Sequence, residues 1–263
     1  MTKRSCAVVV FLAGSALAQM DSTSVQGIDM YSSLSAGVGA TLNNSITAKK
    51  SYLSTTRVSV SDLSIPVRAR KEFEKANESL RKQDLTHALR DLNKAISIHP
   101  QFADAYNNLG VVYERLGDVV RERTALEKAI EINDHLALAY RNLGRMDLLA
   151  SDFADGESEL KKAWAFDPED SVALTLLAYA ELMQGHLDDA LAHARQTHAL
   201  GAPHALAHRL AARVFEVRNQ SEAAVAELTL SLKEDPSGAL ADSTRRELEM
   251  MQARLHRAQA SPQ

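Results

Sequence analysis

The sequence predicts an all-α protein made of five helix–turn–helix units of 34 residues, closed by a C-terminal capping helix. Three observations carry this prediction. Small residues recur at a fixed interval: Ala76, Gly110, Gly144, Ala178 and Ala212 are each 34 apart, and so are Ala95, Ala129, Ala163, Thr197 and Ser231. Such a period marks a stacked repeat, in which each unit buries its apolar face against the next. Apolar residues occupy matching columns, Leu92, Leu126, Leu160, Ala194 and Leu228 in one and Leu85, Val119, Phe153, Leu187 and Ser221 in another, as one face of a helix requires. Finally, 11 glycines, 6 prolines and 5% aromatics in 263 residues favour helices over strands.

Taken from the N-terminus, residues 1–18 form a targeting segment. Lys3 and Arg4 precede an uncharged apolar run from Ala7 to Leu17, and Ala16-Leu17-Ala18 closes it with small residues suited to cleavage before Gln19. The run is too short to span a bilayer, which needs about 20 residues. The expected location is exported, periplasmic or secreted, without stable membrane insertion after cleavage. Cys6 is the sole cysteine and falls inside this segment, so the processed chain has no thiol chemistry. Residues 19–56, rich in Ser, Thr, Gly and Asn, read as a flexible linker. Residues 57–68 are a short lead-in: Arg57 to Ser61 alternates like an extended segment, and Pro66 stands at a helix start.

The repeats are predicted at 69–102, 103–136, 137–170, 171–204 and 205–238. Between the two helices of a unit, Gly117-Asp118, Ser151-Asp152 and Gly185-His186 take matching places in a short turn. Pro100, Pro168 and Pro236, spaced by two periods, end the second helix. One residue breaks the pattern: Glu122 stands where the other units have Ala88, Gly156, Ala190 and Ala224, at the closest helix contact. A lone carboxylate there is costly, which predicts a helix shift or an arginine partner. Ser221, Ser231 and Glu234 make the fifth unit more polar. Residues 239–258 place Leu240, Leu248, Met251 and Leu255 on one stripe, as a cap over the last repeat must. Residues 259–263 are a tail.

These columns resemble the tetratricopeptide repeat family, whose pattern is matched by Tyr106, Leu109-Gly110, Tyr113 and Ala129 in one unit and Tyr140, Leu143-Gly144, Phe153, Ala163 and Pro168 in the next. The stretch from Val58 to Ala76 is similar to the lead-in of exported bacterial members. The resemblance implies a right-handed superhelix (α-solenoid) whose first helices line a concave groove. On that scheme the groove carries Arg70, Phe73, Asn77 and Arg81, Asp104, Asn107, Val111 and Arg115, Arg141 and Arg145, Thr175 and Tyr179, and Arg209, Arg213 and Glu216. Of these, Asn77, Asn107, Arg141, Arg145, Tyr179, Arg209 and Arg213 are the predicted partner-binding residues. Arginine forks suit carboxylates and Asn can pair with a peptide backbone, so the expected partner is a protein or peptide with acidic side chains. The family's carboxylate clamp for chaperone C-termini is matched only at Asn77 and Asn108, with Phe73, Leu138 and Asn142 at its other positions, and is not expected.

Other functions find little support. The net charge of -4, or -6 after removal of Lys3 and Arg4, comes without any Lys/Arg block, so nucleic acid is not an expected partner. There is no Gly-rich phosphate loop, His-Glu-x-x-His helix or Gly-x-Ser-x-Gly elbow. Asp188-Asp189 and Glu157/Glu159 read as solvated surface. His193, His198, His204 and His208 cluster near one hairpin junction, but no carboxylate is placed beside them by sequence, and neither metal nor cofactor is predicted. Trp164 is expected to pack between hairpins. The protein thus reads as a non-enzymatic interaction scaffold, with a spacer in an envelope complex, acting through its convex face or linker, as the rival.

Overall fold

A computed structural model describes residues 65–200 and 205–260; the predicted signal, linker, most of the lead-in, and His204 lie outside them. Eleven helices, and no strand, occupy the described residues. They are α1 (Val67–Arg81), α2 (Leu85–Ile98), α3 (Ala103–Leu116), α4 (Val119–Ile132), α5 (Ala137–Leu149), α6 (Phe153–Phe166), α7 (Ser171–Gln184), α8 (Leu187–Ala199), α9 (Ala205–Val217), α10 (Ser221–Glu234) and α11 (Ala241–Ala260). Each odd-numbered helix from α1 to α9 packs most extensively on the even-numbered helix after it. Successive pairs stack in series and α11 closes on α10.

Local chemistry explains the helix limits. Aspartates cap α2, α4 and α7: Asp84 accepts from the His87 amide at 3.1 Å, Asp118 from that of Arg121 at 3.0 Å, and Asp170 from those of Val172 and Ala173 at 3.0 Å. The turn inside each pair contains a left-handed residue, and the five recur at the same 34-residue spacing: Gln83, Gly117, Ser151, Gly185 and Asn219, with φ between 58° and 80°. Glycine fills only two of these places. The backbone geometry of the turn is thus dictated by how the helices meet, and the other three side chains bear the steric cost of that geometry.

Packing explains the columns. Leu92, Leu126, Leu160 and Leu228 are buried in the first, second, third and fifth pairs, each contributing about 1.5–3 kcal/mol relative to exposure, and the smaller Ala194 takes the place in the fourth. A Cβ on Gly144 would stand 2.7 Å from Leu160 Cγ and 3.0 Å from the Gly156 carbonyl, so at this crossing two backbones are in contact. Thr197 and Ser231 replace alanine in a fully buried column, yet both hydroxyls are satisfied, donating to the carbonyls of His193 at 2.9 Å and Ala205 at 2.8 Å. The fourth and fifth pairs are therefore more polar in this column without leaving these groups orphaned. Val119 departs from its column and is 60% exposed. On α11, Met251 is buried against α10's Leu228 and α9's Ala212, with Leu248 beside it. No helix among the described residues is long and apolar enough to cross a membrane.

Candidate partner-binding face

The odd-numbered helices also touch one another from α3 onward, α3 with α5, α5 with α7 and α7 with α9, and so form one continuous face. Two polar systems run along it. The first is a chain of asparagine amides. Asn142 Nδ2 donates to Asn107 Oδ1 at 2.9 Å, Asn107 Nδ2 to Asn108 Oδ1 at 3.1 Å, and Asn108 Nδ2 to Asn77 Oδ1 at 2.6 Å. It links α5 to α3 and α3 to α1. Each inner amide both donates and accepts, which fixes the orientation of its neighbours. Asn77, half-buried at one end, accepts through Oδ1, and Asn142, buried at the other end, donates through Nδ2.

The second system consists of the predicted arginines, and it joins one hairpin to the next. Arg141 Nη1 contacts Asp170 Oδ2 at 2.7 Å, bracing the carboxylate that caps α7. Arg145, only 3% exposed, bonds Glu114 of α3 and lies 3.5 Å from Glu122 of α4. Arg209, also 3% exposed, donates to Ser243 Oγ and to Glu247 Oε2 at 3.0 Å each, tying α9 to α11. Arg213 pairs with Glu216 on its own helix, and Glu216 also stands 3.7 Å from Arg254 of α11. Each of the four guanidinium groups therefore faces an internal carboxylate, and the face is closer to neutral than its arginine count suggests.

Burial sets the electrostatics at Glu122. The residue is 4% exposed, and desolvation pushes its carboxyl up to about 7; Arg145 opposes the shift and Glu114 reinforces it. Burial likewise raises Glu247, against the pull of Arg209. The arginine partner anticipated for Glu122 is thus Arg145, one hairpin away, which divides its charge between two carboxylates.

Of the seven predicted residues, the amide chain brings Asn77 and Asn107 together and recruits Asn108 and Asn142 to them. Arg141 and Arg213 are partly exposed, whereas Arg145 and Arg209 lie beneath the surface. Tyr179 is buried, its ring edge-on to Phe153 at 6.2 Å. Sequence reasoning missed the role of Asn142, whose signal is its position 35 residues after Asn107, close to one repeat period. Trp164 packs edge-on against His193 of the following hairpin at 5.3 Å.

A series of helical hairpins with small residues at each crossing, one polar face and an amphipathic closing helix defines an α-solenoid fold. The chain carries tetratricopeptide repeats over the segments that family models match. Family models described as TPR repeat match residues 71–117, and as tetratricopeptide repeat residues 103–135 and 175–239. These describe repeats, and none describes a catalytic domain. No curated protein matches the sequence. Among solved structures, the type IV pilus biogenesis factor PilW is 18% identical over 72% of this chain and 93% of its own, with a TM-score of 0.61. PilF of Pseudomonas aeruginosa is 17% identical over 74% and 93%, also at 0.61. YrrB, described as a TPR protein with an unusual peptide-binding site, is 21% identical over 68% and 92%, at 0.56. At these identities the likeness establishes the fold.

Proposed function

We propose that this protein is a non-enzymatic scaffold that holds an extended segment of a partner protein in the concave groove formed by its odd-numbered helices. The observation that carries the reading is the amide chain from Asn142 to Asn77. It crosses three helices of one face and is built of amides, whose donor and acceptor groups are the pair that a peptide backbone needs. A preorganised set of this kind loses little side-chain entropy on binding. Arg145 and Arg209 hold the angle between hairpins from below, while Arg141 and Arg213 reach the surface. An acidic guest side chain that reaches either guanidinium shares its charge with Asp170 or Glu216, so charge refines selectivity and adds little net affinity. Export to the bacterial envelope belongs to the same reading and rests on the form of residues 1–18.

One observation favours a second reading, the spacer that docks outside the groove. Leu116, Val119 and Val120 are 51%, 60% and 78% exposed around a single turn, an apolar patch away from the amide chain. A capture experiment separates the two. The purified chain, the double variant Asn77→Ala/Asn108→Ala and the double variant Val119→Lys/Val120→Lys are each immobilised and exposed to cell-envelope extract, and retained proteins are identified by mass spectrometry. The groove reading expects the asparagine variant to lose partners that the valine variant keeps. An unchanged partner profile in the asparagine variant overturns it, and loss confined to the valine variant establishes the spacer.

A further inference from the structure

The histidines near the fourth hairpin converge where the sequence alone placed no carboxylate. His198 at the end of α8, His208 in the first turn of α9 and Glu234 at the end of α10 bring one ligand atom each to within 4.8 Å of one another. His208 is 9% exposed, and its Nδ1 lies 2.7 Å from Glu227 Oε2, a close hydrogen bond that makes Nδ1 the protonated nitrogen of the neutral ring. Its other nitrogen, Nε2, is buried and makes no hydrogen bond. Nε2 is 3.4 Å from Glu234 Oε1, and His198 Nδ1 is 3.3 Å from the same oxygen.

Those separations bear on two uses of the cluster, an ion pair of histidine with glutamate and a metal site. A charge-assisted N–H to carboxylate bond closes to about 2.7–2.9 Å, as His208 does with Glu227. Two ligands of one tetrahedral zinc ion, each held at about 2.0–2.2 Å, stand roughly 3.4 Å apart. Both contacts with Glu234 have the second spacing. Glu227 behind His208 supplies the carboxylate that orients a metal-bound imidazole and raises its basicity. The two rings, 4.9 Å apart and inclined at 60°, do not stack flat against each other.

We propose that His198, His208 and Glu234 form a binding site for a zinc ion, with Glu227 as the positioning residue for His208. Two imidazoles and one carboxylate suit zinc among common divalent cations. Three protein ligands leave a fourth position, and the 57% exposed side chain of His198 opens it to water. The ion joins three successive helices at the junction of the fourth and fifth hairpins, where Thr197 and Ser231 replace alanine in the buried column.

The test uses the untagged full chain freed of metal with a chelator. Zinc uptake is measured by calorimetry, bound metal by elemental analysis after desalting, and cobalt(II) substitution by visible absorption. The wild type is expected to take one zinc and to give the strong d–d absorption of a tetrahedral cobalt site. His198→Ala, at an exposed position that leaves the helical circular dichroism intact, and Glu234→Gln are each expected to lose that zinc. Glu227→Gln is expected to bind it about 10–100-fold more weakly. Absence of zinc uptake by the wild type, or uptake that persists unchanged in both His198→Ala and Glu234→Gln, overturns the site.

Discussion

Replacing Glu122 with glutamine should make the protein more stable above neutral pH and abolish one segment of its pH dependence. Glu122 occupies the small-residue column, buried on α4 with Arg145 of α5 at 3.5 Å, Glu114 of α3 and Arg123 of its own helix as the charges that act on it. Its carboxyl is held near 7 in the folded chain against an ordinary 4.5 when unfolded. The sign follows directly. Between those two values the folded protein binds a proton that the unfolded chain has released, so stability falls as pH rises from 4.5 to about 7 and is level beyond it. At 1.36 kcal/mol for each factor of ten, the full penalty is at most about 3 kcal/mol, equivalent to roughly 6–12 °C in Tm for a chain of this size. Glutamine keeps the shape without the charge, and Arg145 retains Glu114. The assay is thermal and urea unfolding of wild type and Glu122→Gln from pH 4.5 to 8.5, read as the difference between them so that other titrating groups cancel. The variant should gain progressively up to pH 7 and hold the gain above it. A difference flat across the range, or a variant less stable than wild type at pH 8, would refute the assignment of the strain to Glu122.

Three further substitutions probe the same architecture. Gly144→Ala should destabilise by about 1–3 kcal/mol in urea denaturation despite the better helix propensity of alanine, because its Cβ meets the Gly156 carbonyl as well as Leu160. Ser151→Gly should stabilise by about 0.5–1 kcal/mol, since φ is 67° there and the equivalent turns already use Gly117 and Gly185; unchanged Tm would contradict that account. Arg141→Ala should cost about 1–2 kcal/mol by leaving Asp170 Oδ2 without its arginine while Oδ1 keeps the two cap amides, with Arg141→Lys recovering only part of the loss; a fully stable alanine variant would reassign Arg141 from joining hairpins to waiting for a ligand.

Much of the fold was legible in the sequence because a helix crossing imposes a local steric condition. Ala76, Gly110, Gly144, Ala178 and Ala212 repeat because each pair must approach at the same point, and that requirement appears at one position in every 34. Even the turn inside each hairpin repeats its left-handed residue, although only Gly117 and Gly185 announce it by type. The candidate site was harder to read. That Arg141, Arg145 and Arg209 stand on the odd-numbered helices followed from the period, but their partners Asp170, Glu114 and Glu247 lie 29, 31 and 38 residues away. Charge complementarity at nearly one period was the available signal, and it was outweighed by the apparent basic character of the column.

What the sequence determined by itself is the unit and its periodic stacking, because periodicity reports packing that every unit solves in the same way. What the tertiary structure alone decided is the use of the polar side chains. Whether an arginine is a free fork or a buried joint, and whether Asn77 and Asn108 act singly or as one chain, depends on which atom of the neighbouring hairpin lies within about 3 Å. The same holds for His198, His208 and Glu234, which come from three helices and share no motif. The inter-hairpin angle sets those distances, and that angle arises from the sum of many side-chain contacts across the interface rather than from any residue that a column can single out.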